Sequence, residues 1–207
     1  MPLLEARNLV KNFGARRVVD GANFSVEPGE IVGLLGRNGA GKTTSFRMAI
    51  GMLDADEGEV HFDNHDVTKQ PMHRRARFGM GYLAQEPSVF RGMTVLENLL
   101  AVLELYEPTA AQRKNKAREL IERFGLRHKA EDLAETCSGG ERRRLEIARA
   151  MACKPRLLLL DEPFAAVDPH TVEELQGEVR RLAKSGIAIL VTDHNVQQTL
   201  RICDRAY

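Results

Sequence analysis

The sequence has few cysteines and no long apolar run, and each shortage excludes a class of protein. Its three cysteines include no C-x-x-C pair, which excludes a disulfide framework and a cysteine-type zinc site. The clearest apolar runs, Leu157–Leu160 and Ile187–Val191, are far shorter than the ~18 residues that a membrane-spanning helix needs. The first residues show no apolar core of a signal peptide. We therefore expect a cytoplasmic chain that works at a membrane only through partner proteins.

The sequence also lacks an excess of charge of either sign. Its 30 Lys and Arg residues nearly balance 29 Asp and Glu residues, which leaves a formal charge of +1. Proteins that bind nucleic acid or an anionic membrane surface usually carry a clear basic excess. We therefore expect no direct binding to nucleic acid.

Apolar runs that read as buried strands alternate with helical segments over much of the chain. The predicted strands and helices follow one another as strand 31–35, helix 42–51, helix 139–152, strand 156–160, helix 169–184 and strand 187–191. This alternation predicts an α/β fold with a mostly parallel sheet. The opening third reads mainly as strands, and capping boxes at Thr94 and Thr109 begin a helical block in the middle.

A glycine-rich loop follows the first buried strand. It reads Gly36-Arg37-Asn38-Gly39-Ala40-Gly41-Lys42-Thr43 and matches G-x-x-x-x-G-K-[ST] without departure. In such a loop the backbone N–H groups surround phosphate, and the next helix adds its dipole. Lys42 supplies charge to the β- and γ-phosphates, and Thr43 offers a hydroxyl to Mg²⁺. The motif predicts an ATP site, with Thr44 as a further contact.

A second glycine pattern gives a weaker signal. Gly79-Met80-Gly81-Tyr82-Leu83-Ala84 matches the G-x-G-x-x-A fingerprint of dinucleotide-binding proteins. It opens no clear helix, and Pro87 follows closely. We interpret it as the entry to a strand, with a nicotinamide or flavin site as the alternative.

Two acids, Asp161 and Glu162, directly follow an apolar run. A phosphoryl-transfer site needs a carboxylate near Mg²⁺ and a group that orients the attacking water. Asp161 suits the first role, and Glu162 suits the second as a general base. His194 and Gln85 each follow a predicted strand, where α/β folds place reactive groups. His194 could reach a γ-phosphate and Gln85 a metal ion or water, with an ordinary structural role as the alternative for each.

The order of these motifs resembles the nucleotide-binding subunits of ABC transporters. Ser138-Gly139-Gly140-Glu141, which also reads as a capping box, stands about twenty residues before Asp161, and the resemblance extends from Leu3 to Tyr207. It implies an ABC-type P-loop NTPase with a mostly parallel core sheet, an antiparallel N-terminal β region and an α-helical subdomain. We expect one domain over residues 1–207, with the subdomain at about 87–153 and a C-terminal end that looks truncated against the family pattern.

The resemblance implies a role for each motif. Residues 36–44 hold ATP, Asp161 binds Mg²⁺ together with Thr43 and Gln85, Glu162 is the catalytic glutamate, and His194 senses the γ-phosphate. Asp168 belongs to the D-loop. The segment Ser138–Glu141 is the signature, which in the family faces ATP held by the other subunit of a homodimer. Phe13 stands where a tyrosine often stacks on adenine, and Cys137 stands where leucine often precedes the signature. We expect Phe13 to stack, with a core aromatic as the alternative, and Cys137 to pack.

The resemblance also implies two integral membrane subunits as partners. In the family, the segment after Gln85 lines the groove that receives the partner's coupling helix, and Phe90 and Arg91 are our candidates there. A surface loop with one tucked phenylalanine is the alternative. We expect the arginine runs at 74–77 and 142–144 to be solvated faces.

Three segments are similar to the ATPases of lipopolysaccharide export in Gram-negative bacteria. They are residues 141–150, 161–169 and 192–196, in which Phe164 and Asn195 are the most informative positions. This narrower resemblance implies an ATPase on the cytoplasmic face of the inner membrane. The alternatives are another ABC transporter ATPase, such as one for branched-chain amino-acid uptake, a soluble ABC ATPase, or a catalytically inactive regulatory module. Intact Glu162 and His194 disfavour the inactive module.

Overall fold

The computed structural model describes residues 1–37, 39–165 and 167–207. The strands are β1 (Leu4–Phe13), β2 (Arg16–Val26), β3 (Ile31–Leu34), β4 (Glu57–Phe62), β5 (His65–Asp66), β6 (Met80–Leu83), β7 (Leu157–Asp161), β8 (Ala188–Thr192) and β9 (Arg205–Ala206). The helices are α1 (Lys42–Ile50), α2 (Met72–Arg77), α3 (Val95–Leu103), α4 (Ala110–Arg123), α5 (Gly139–Ala152), α6 (Pro169–Lys184) and α7 (Val196–Leu200). Short 3₁₀ turns occupy Arg127–Lys129 and Ala134–Thr136. The predicted strands and helices are present, with ends that differ by one or two residues.

The strands form two sheets. An antiparallel sheet has the order β2-β1-β4-β5, and a parallel sheet has the order β6-β7-β8-β3-β9. Every residue of β3, β7 and β8 is buried, which explains why these strands read as continuous apolar runs. Because the strands are parallel, the loops after β3, β6, β7 and β8 leave the sheet at one edge. The predicted mostly parallel sheet and antiparallel N-terminal region are confirmed.

Side chains of β7 alternate between two hydrophobic cores, as the period of a strand requires. Leu158 and Leu160 face a core that contains residues of α3, α4, α5 and α6. Leu157 and Leu159 face a second core, which contains residues of α1 and the antiparallel sheet. Cys137 is buried in the first core, as predicted. The parallel sheet therefore joins the helical block to the N-terminal sheet.

Side chains that the sequence predicts as caps begin four helices. Thr94, Thr109 and Ser138 each form a complete capping box at the start of α3, α4 and α5. Asp168 caps α6, whose first residue is a proline. Among the described residues, no helix combines the length and apolar character needed to cross a bilayer.

The prediction that both arginine runs form solvated faces is wrong at two positions. Arg75 is 1% exposed and donates hydrogen bonds to the carbonyl oxygens of Met48 and Ala49 at the end of α1. Burial lowers its pKa to about 10. Arg143 is 7% exposed and forms an ion pair with Glu146. A run of basic residues does not by itself predict this burial, because the carbonyl and carboxylate groups that accept the hydrogen bonds are brought close only by the fold.

Candidate functional site

The phosphate loop connects β3 to α1. Gly41 ends it with a φ of 85°, and a Cβ there would lie 2.7 Å from the carbonyl oxygen of Val18. A glycine is therefore required on both conformational and steric grounds. The first turn of α1 contains no acidic residue, so its N-terminal N–H groups face no competing carboxylate from that turn. Lys42 Nζ donates to the carbonyl oxygens of Gly36 and Arg37 at 2.7 and 3.0 Å, which holds the ammonium group at the loop.

A cavity of about 360 Å³ opens over this loop. Its lining residues are Arg16, Val18, Gly39, Ala40, Gly41, Lys42, Thr43, Thr44 and Glu162. The predicted contacts from Gly39 to Thr44 therefore share one cavity with the predicted catalytic glutamate. Gly36 and Arg37 are loop residues outside its lining, and Asn38 lies outside the described residues. The signature segment is not among the lining residues in the part of the chain that is described.

Arg16 and Val18 line the cavity although sequence reasoning missed them. Both belong to β2, which pairs with β1 in the other sheet. No motif marks either residue, and the only available signal was their proximity in sequence to Phe13. The exposed Arg16 side chain adds a second positive charge to the cavity that Lys42 also lines, which favours an anion there.

Asp161 is the last residue of β7 and is 2% exposed. Thr192, its neighbour at the end of β8, donates its hydroxyl to Asp161 Oδ1 at 2.6 Å. This hydrogen bond fixes one oxygen of the carboxylate. The sequence alone did not identify Thr192 as a site residue, because its contact with Asp161 depends on the register of two parallel strands.

Glu162 brings the remaining predicted groups together. Gln85 Nε2 donates to Glu162 Oε2 at 2.9 Å, and His194 Nδ1 lies 3.3 Å from the same oxygen. Asp193 Oδ1 lies 3.4 Å from that histidine nitrogen. Glu162 has a φ of 44°, a conformation that costs a non-glycine residue about 1 kcal/mol or more and is concentrated at functional sites. The ends of β6, β7 and β8 thus supply one polar cluster beside the phosphate loop.

The signature segment forms the N-terminus of α5. Ser138 and Glu141 cap each other, and His128 Nε2 lies 2.9 Å from Glu141 Oε1. Burial pushes the pKa of Glu141 upward, but hydrogen bonds from Ser138 and His128 outweigh burial and lower that pKa to about 2. Ser138 is exposed, so the helix N-terminus is open to an anion from outside the chain.

Gly140 is buried where α5 meets α6. A Cβ at Gly140 would lie 2.4 Å from Thr171 Cγ2, so a larger residue would fit only if the Thr171 side chain moved. The Thr171 N–H donates to Asp168 Oδ1 at 3.0 Å. Hydrogen bonds from Thr171 lower the pKa of Asp168. Asp168, the predicted D-loop residue, therefore contacts Thr171, which packs on Gly140 of the predicted signature segment.

Phe13, Phe90 and Arg91 are exposed. Phe13 ends β1 and is 52% exposed, so it is not a core aromatic. The backbone of Phe90 is held by the buried Asn98 side chain, and the Arg149 guanidinium lies 4.4 Å from the Phe90 ring centroid. Phe90 is thus presented at the surface by a fixed backbone and is not tucked into a core.

Three oxygen donors of the kind that Mg²⁺ prefers lie at the start of α1 and at the ends of β6 and β7, and of these Thr43 lines the cavity. They are the Thr43 hydroxyl, the second Asp161 carboxylate oxygen and the Gln85 amide oxygen. The amide nitrogen of Gln85 donates to Glu162, so the amide oxygen is not used in that bond. Among the described residues, no three His, Cys, Asp or Glu side chains cluster to hold a metal by themselves. This donor set fits Mg²⁺, which proteins usually bind through few side chains together with substrate phosphates.

Comparison with known proteins places these features in a family. The model of the ABC transporter family matches residues 19–165. The lipopolysaccharide export system ATP-binding protein LptB of Haemophilus influenzae is 50% identical over 100% of this chain and 86% of that protein. LptB of Escherichia coli strain K12 is 49% identical over the same shares of the two chains.

Solved structures agree with these matches. A nucleotide-free ATP-binding cassette from an ABC transporter superposes with a TM-score of 0.91 and 32% identity, over 100% of this chain and 87% of that one. A dimeric ATP-binding cassette bound to ADP and phosphate superposes with a TM-score of 0.85 and 25% identity, over 98% of this chain and 92% of that one. The dinucleotide-fold alternative at Gly79–Ala84 is not supported, because that segment enters β6 and no helix follows directly.

Proposed function

The chain belongs to the ABC transporter family, and from this membership we propose that it is the ATP-hydrolysing subunit of a lipopolysaccharide exporter. The observation that carries the ATPase part is the convergence of Gln85, Glu162 and His194 beside the phosphate loop. The lipopolysaccharide part is supported by about half-identity, over the whole chain, to ATP-binding proteins of that export system.

ATP binds with its phosphates in the cavity over α1. The loop N–H groups and the α1 N-terminus donate to phosphate oxygens, and Lys42 exchanges its loop carbonyl acceptors for the β- and γ-phosphates. Arg16, which lines the same cavity, adds positive charge. Phe13, exposed at the end of β1, stacks on the adenine ring.

Thr43, Gln85 and Asp161 would hold Mg²⁺. The ion would neutralise charge on the β- and γ-phosphates during transfer. Asp161 suits this role because its burial and its bond from Thr192 fix the carboxylate in one orientation. The Gln85 amide can offer its oxygen to the metal while its nitrogen contacts Glu162.

Glu162 accepts a proton from the attacking water as a general base. Gln85 and His194 orient its carboxylate through the same oxygen, which leaves the other oxygen for the water. When ATP arrives, His194 turns toward the γ-phosphate. Because His194 then leaves Glu162 for the γ-phosphate, ATP binding changes how the Glu162 carboxylate is held.

We propose that two copies of the chain enclose two ATP molecules. The signature helix α5 opens to solvent at Ser138 and does not line the phosphate cavity of its own chain in the described part. A second copy, arranged head to tail, would bring this helix N-terminus to the γ-phosphate. The family includes a solved dimeric cassette bound to ADP and phosphate.

Phe90 and Arg91 face two integral membrane subunits at the cytoplasmic side of the inner membrane. An aromatic ring presented on a fixed backbone beside arginines suits an interface hot spot. ATP-driven closure of the dimer would reach these subunits because Phe90 follows Gln85 by only five residues in the same loop. Membrane contact is made through the partners alone.

The ATPase part is tested with the Glu162→Gln variant. We expect roughly a 100-fold or greater loss of phosphate release with ATP binding retained, because the amide cannot accept the proton. Analytical ultracentrifugation should show an ATP-dependent dimer of this variant and a mostly monomeric Lys42→Ala chain. Wild-type turnover in Glu162→Gln would remove Glu162 from the mechanism.

A further inference from the structure

A buried ion pair on α5 lies among the segments that carry the proposed catalytic groups. Arg143 and Glu146 are 7% and 4% exposed, and Arg143 Nη1 lies 2.9 Å from Glu146 Oε2. Charged side chains are rarely buried to this degree unless they are paired and hydrogen-bonded. The sequence predicts only a solvated face at Arg143, so this pair is a product of the fold.

The Arg143 guanidinium donates to backbone on both sides of the cluster. Nη1 donates to the carbonyl oxygen of Ala84 at 2.8 Å, directly before Gln85. Nε donates to the Pro163 carbonyl oxygen at 3.1 Å, and Nη2 lies 3.3 Å from the carbonyl oxygens of Asp161 and Glu162. We call the segment from Ala84 to Phe90 the Gln85 loop. The planar guanidinium therefore fixes the start of this loop against the turn that bears Glu162.

That turn needs such support because Glu162 has a φ of 44°. A non-glycine residue keeps this conformation only where its surroundings hold it. Arg143 donates hydrogen bonds to three consecutive carbonyl oxygens of the turn, from Asp161 to Pro163. A lysine at this position would retain the charge but could not reproduce a fork of donors.

Glu146 holds the other end of the Gln85 loop. Its Oε1 accepts from the Ser88 N–H at 2.6 Å, while Oε2 holds Arg143. Arg149, one turn further along α5, donates to the Ser88 carbonyl oxygen and stacks on Phe90. The loop from Ala84 to Phe90 is thus attached to α5 at both ends.

We propose that Arg143 and Glu146 are positioning residues that hold Gln85 at the Glu162 carboxylate and thereby set the rate of ATP hydrolysis. This proposal rests on the proposed ATPase function. The pair acts on turnover more than on ATP affinity, because its hydrogen bonds in the described chain reach none of residues 36–44.

The test compares Arg143→Lys and Glu146→Gln with Arg181→Lys as a matched control. Arg181 forms an Arg–Glu pair of the same spacing with Glu178 on α6, its side chain is 69% exposed, and in the described chain it makes no hydrogen bond to the segments that bear Gln85, Glu162 or His194. We expect kcat for Mg-ATP to fall roughly 10- to 100-fold in both test variants, as for small misplacements of catalytic groups. KM and the Kd for ATP should stay within about twofold of wild type, and the control should match wild type in all three.

Thermal unfolding measured beside the assay separates this role from a merely structural one. A folded Arg143→Lys chain with wild-type kcat overturns the proposal, as does a loss of affinity equal to the loss of kcat. If Arg143→Lys does not fold, Glu146→Gln decides, since it retains the oxygen that accepts from Ser88. A wild-type chain that does not hydrolyse ATP would overturn the proposed function as well, so the two failures differ in the wild-type rate.

A double variant gives an independent readout. In the described chain Glu146 bonds to Ser88 of the Gln85 loop and to Arg143 but not to the Glu162 turn, so Glu146→Gln should lower kcat much less in a Gln85→Ala background than in wild type. Fully additive losses would contradict a path through Gln85.

Discussion

Arg16 gives the phosphate cavity a positive charge that the loop motif does not supply. Its side chain is exposed and lines the cavity from β2. We expect Arg16→Ala to weaken ATP binding by roughly fivefold, about 1 kcal/mol, which is typical of an exposed charged contact. Titration with a fluorescent ATP analogue measures the Kd.

Arg17→Ala is the matched control for Arg16→Ala. Arg17 is the next residue, but it pairs with Asp20 and does not line the cavity. Equal affinities for ATP in the two variants would show that Arg16 does not contact the nucleotide.

Glu141 makes stability depend on pH in the acid range. Its pKa is lowered from 4.5 to about 2, so its stabilising effect is complete above pH 4.5 and is lost as the pH falls toward 2. Glu141→Gln retains an acceptor oxygen but cannot ionise. We expect the variant to be less stable than wild type at pH 7 and the difference to shrink between pH 4.5 and pH 2. Urea unfolding at several pH values measures it.

The control for this pH dependence is Glu119→Gln, which alters an exposed carboxylate on α4. Its unfolding free energy should run nearly parallel to that of wild type across the same range. A constant difference between Glu141→Gln and wild type down to pH 2 would show that the Glu141 pKa is not lowered by folding.

At the level of secondary-structure elements, the contact between α5 and α6 depends on a missing side chain. A Cβ at Gly140 would lie 2.4 Å from Thr171 Cγ2. We expect Gly140→Ala to lower the unfolding free energy by about 1 to 3 kcal/mol through overpacking. Calorimetry or urea unfolding measures the loss.

Thr171→Ser removes the methyl group that the new Cβ would strike. The double variant should therefore recover much of the stability that Gly140→Ala loses, while Thr171→Ser alone changes little. No recovery in the double variant would place the cause of the loss elsewhere, for example in the helix start itself.

The elements themselves were predictable because their signals are local. The capping boxes at Thr94, Thr109 and Ser138 and the apolar runs of β3, β7 and β8 are each visible within a few residues. The burial of Arg75 and Arg143 was not predictable in this way, because their acceptors are carbonyl groups distant in sequence. The same limit explains why the Thr192 contact with Asp161 was missed.

For the whole molecule, the parallel sheet explains why motifs distant in sequence form one site. Gln85, Glu162 and His194 follow β6, β7 and β8, which are neighbours in the order of the sheet. Sequence alone predicted each residue but could not give the shared contact at Glu162 Oε2. The helical subdomain at about 87–153 and the single-domain organisation stay predictions, as do the roles of Phe90 and Arg91.

The proposal that the chain is a transporter subunit is tested most directly by identifying the molecules that co-purify with it from membranes. A tagged Glu162→Gln chain, expressed in its native cell, would be recovered with ATP from detergent-solubilised membranes, with Lys42→Ala as the control that should not form the ATP-bound dimer. We expect mass spectrometry to find two different integral membrane proteins and lipopolysaccharide with Glu162→Gln. Recovery of only soluble proteins or ribosomes would contradict the transporter function and leave a soluble ATPase. Recovery of membrane proteins with a different substrate would contradict lipopolysaccharide export.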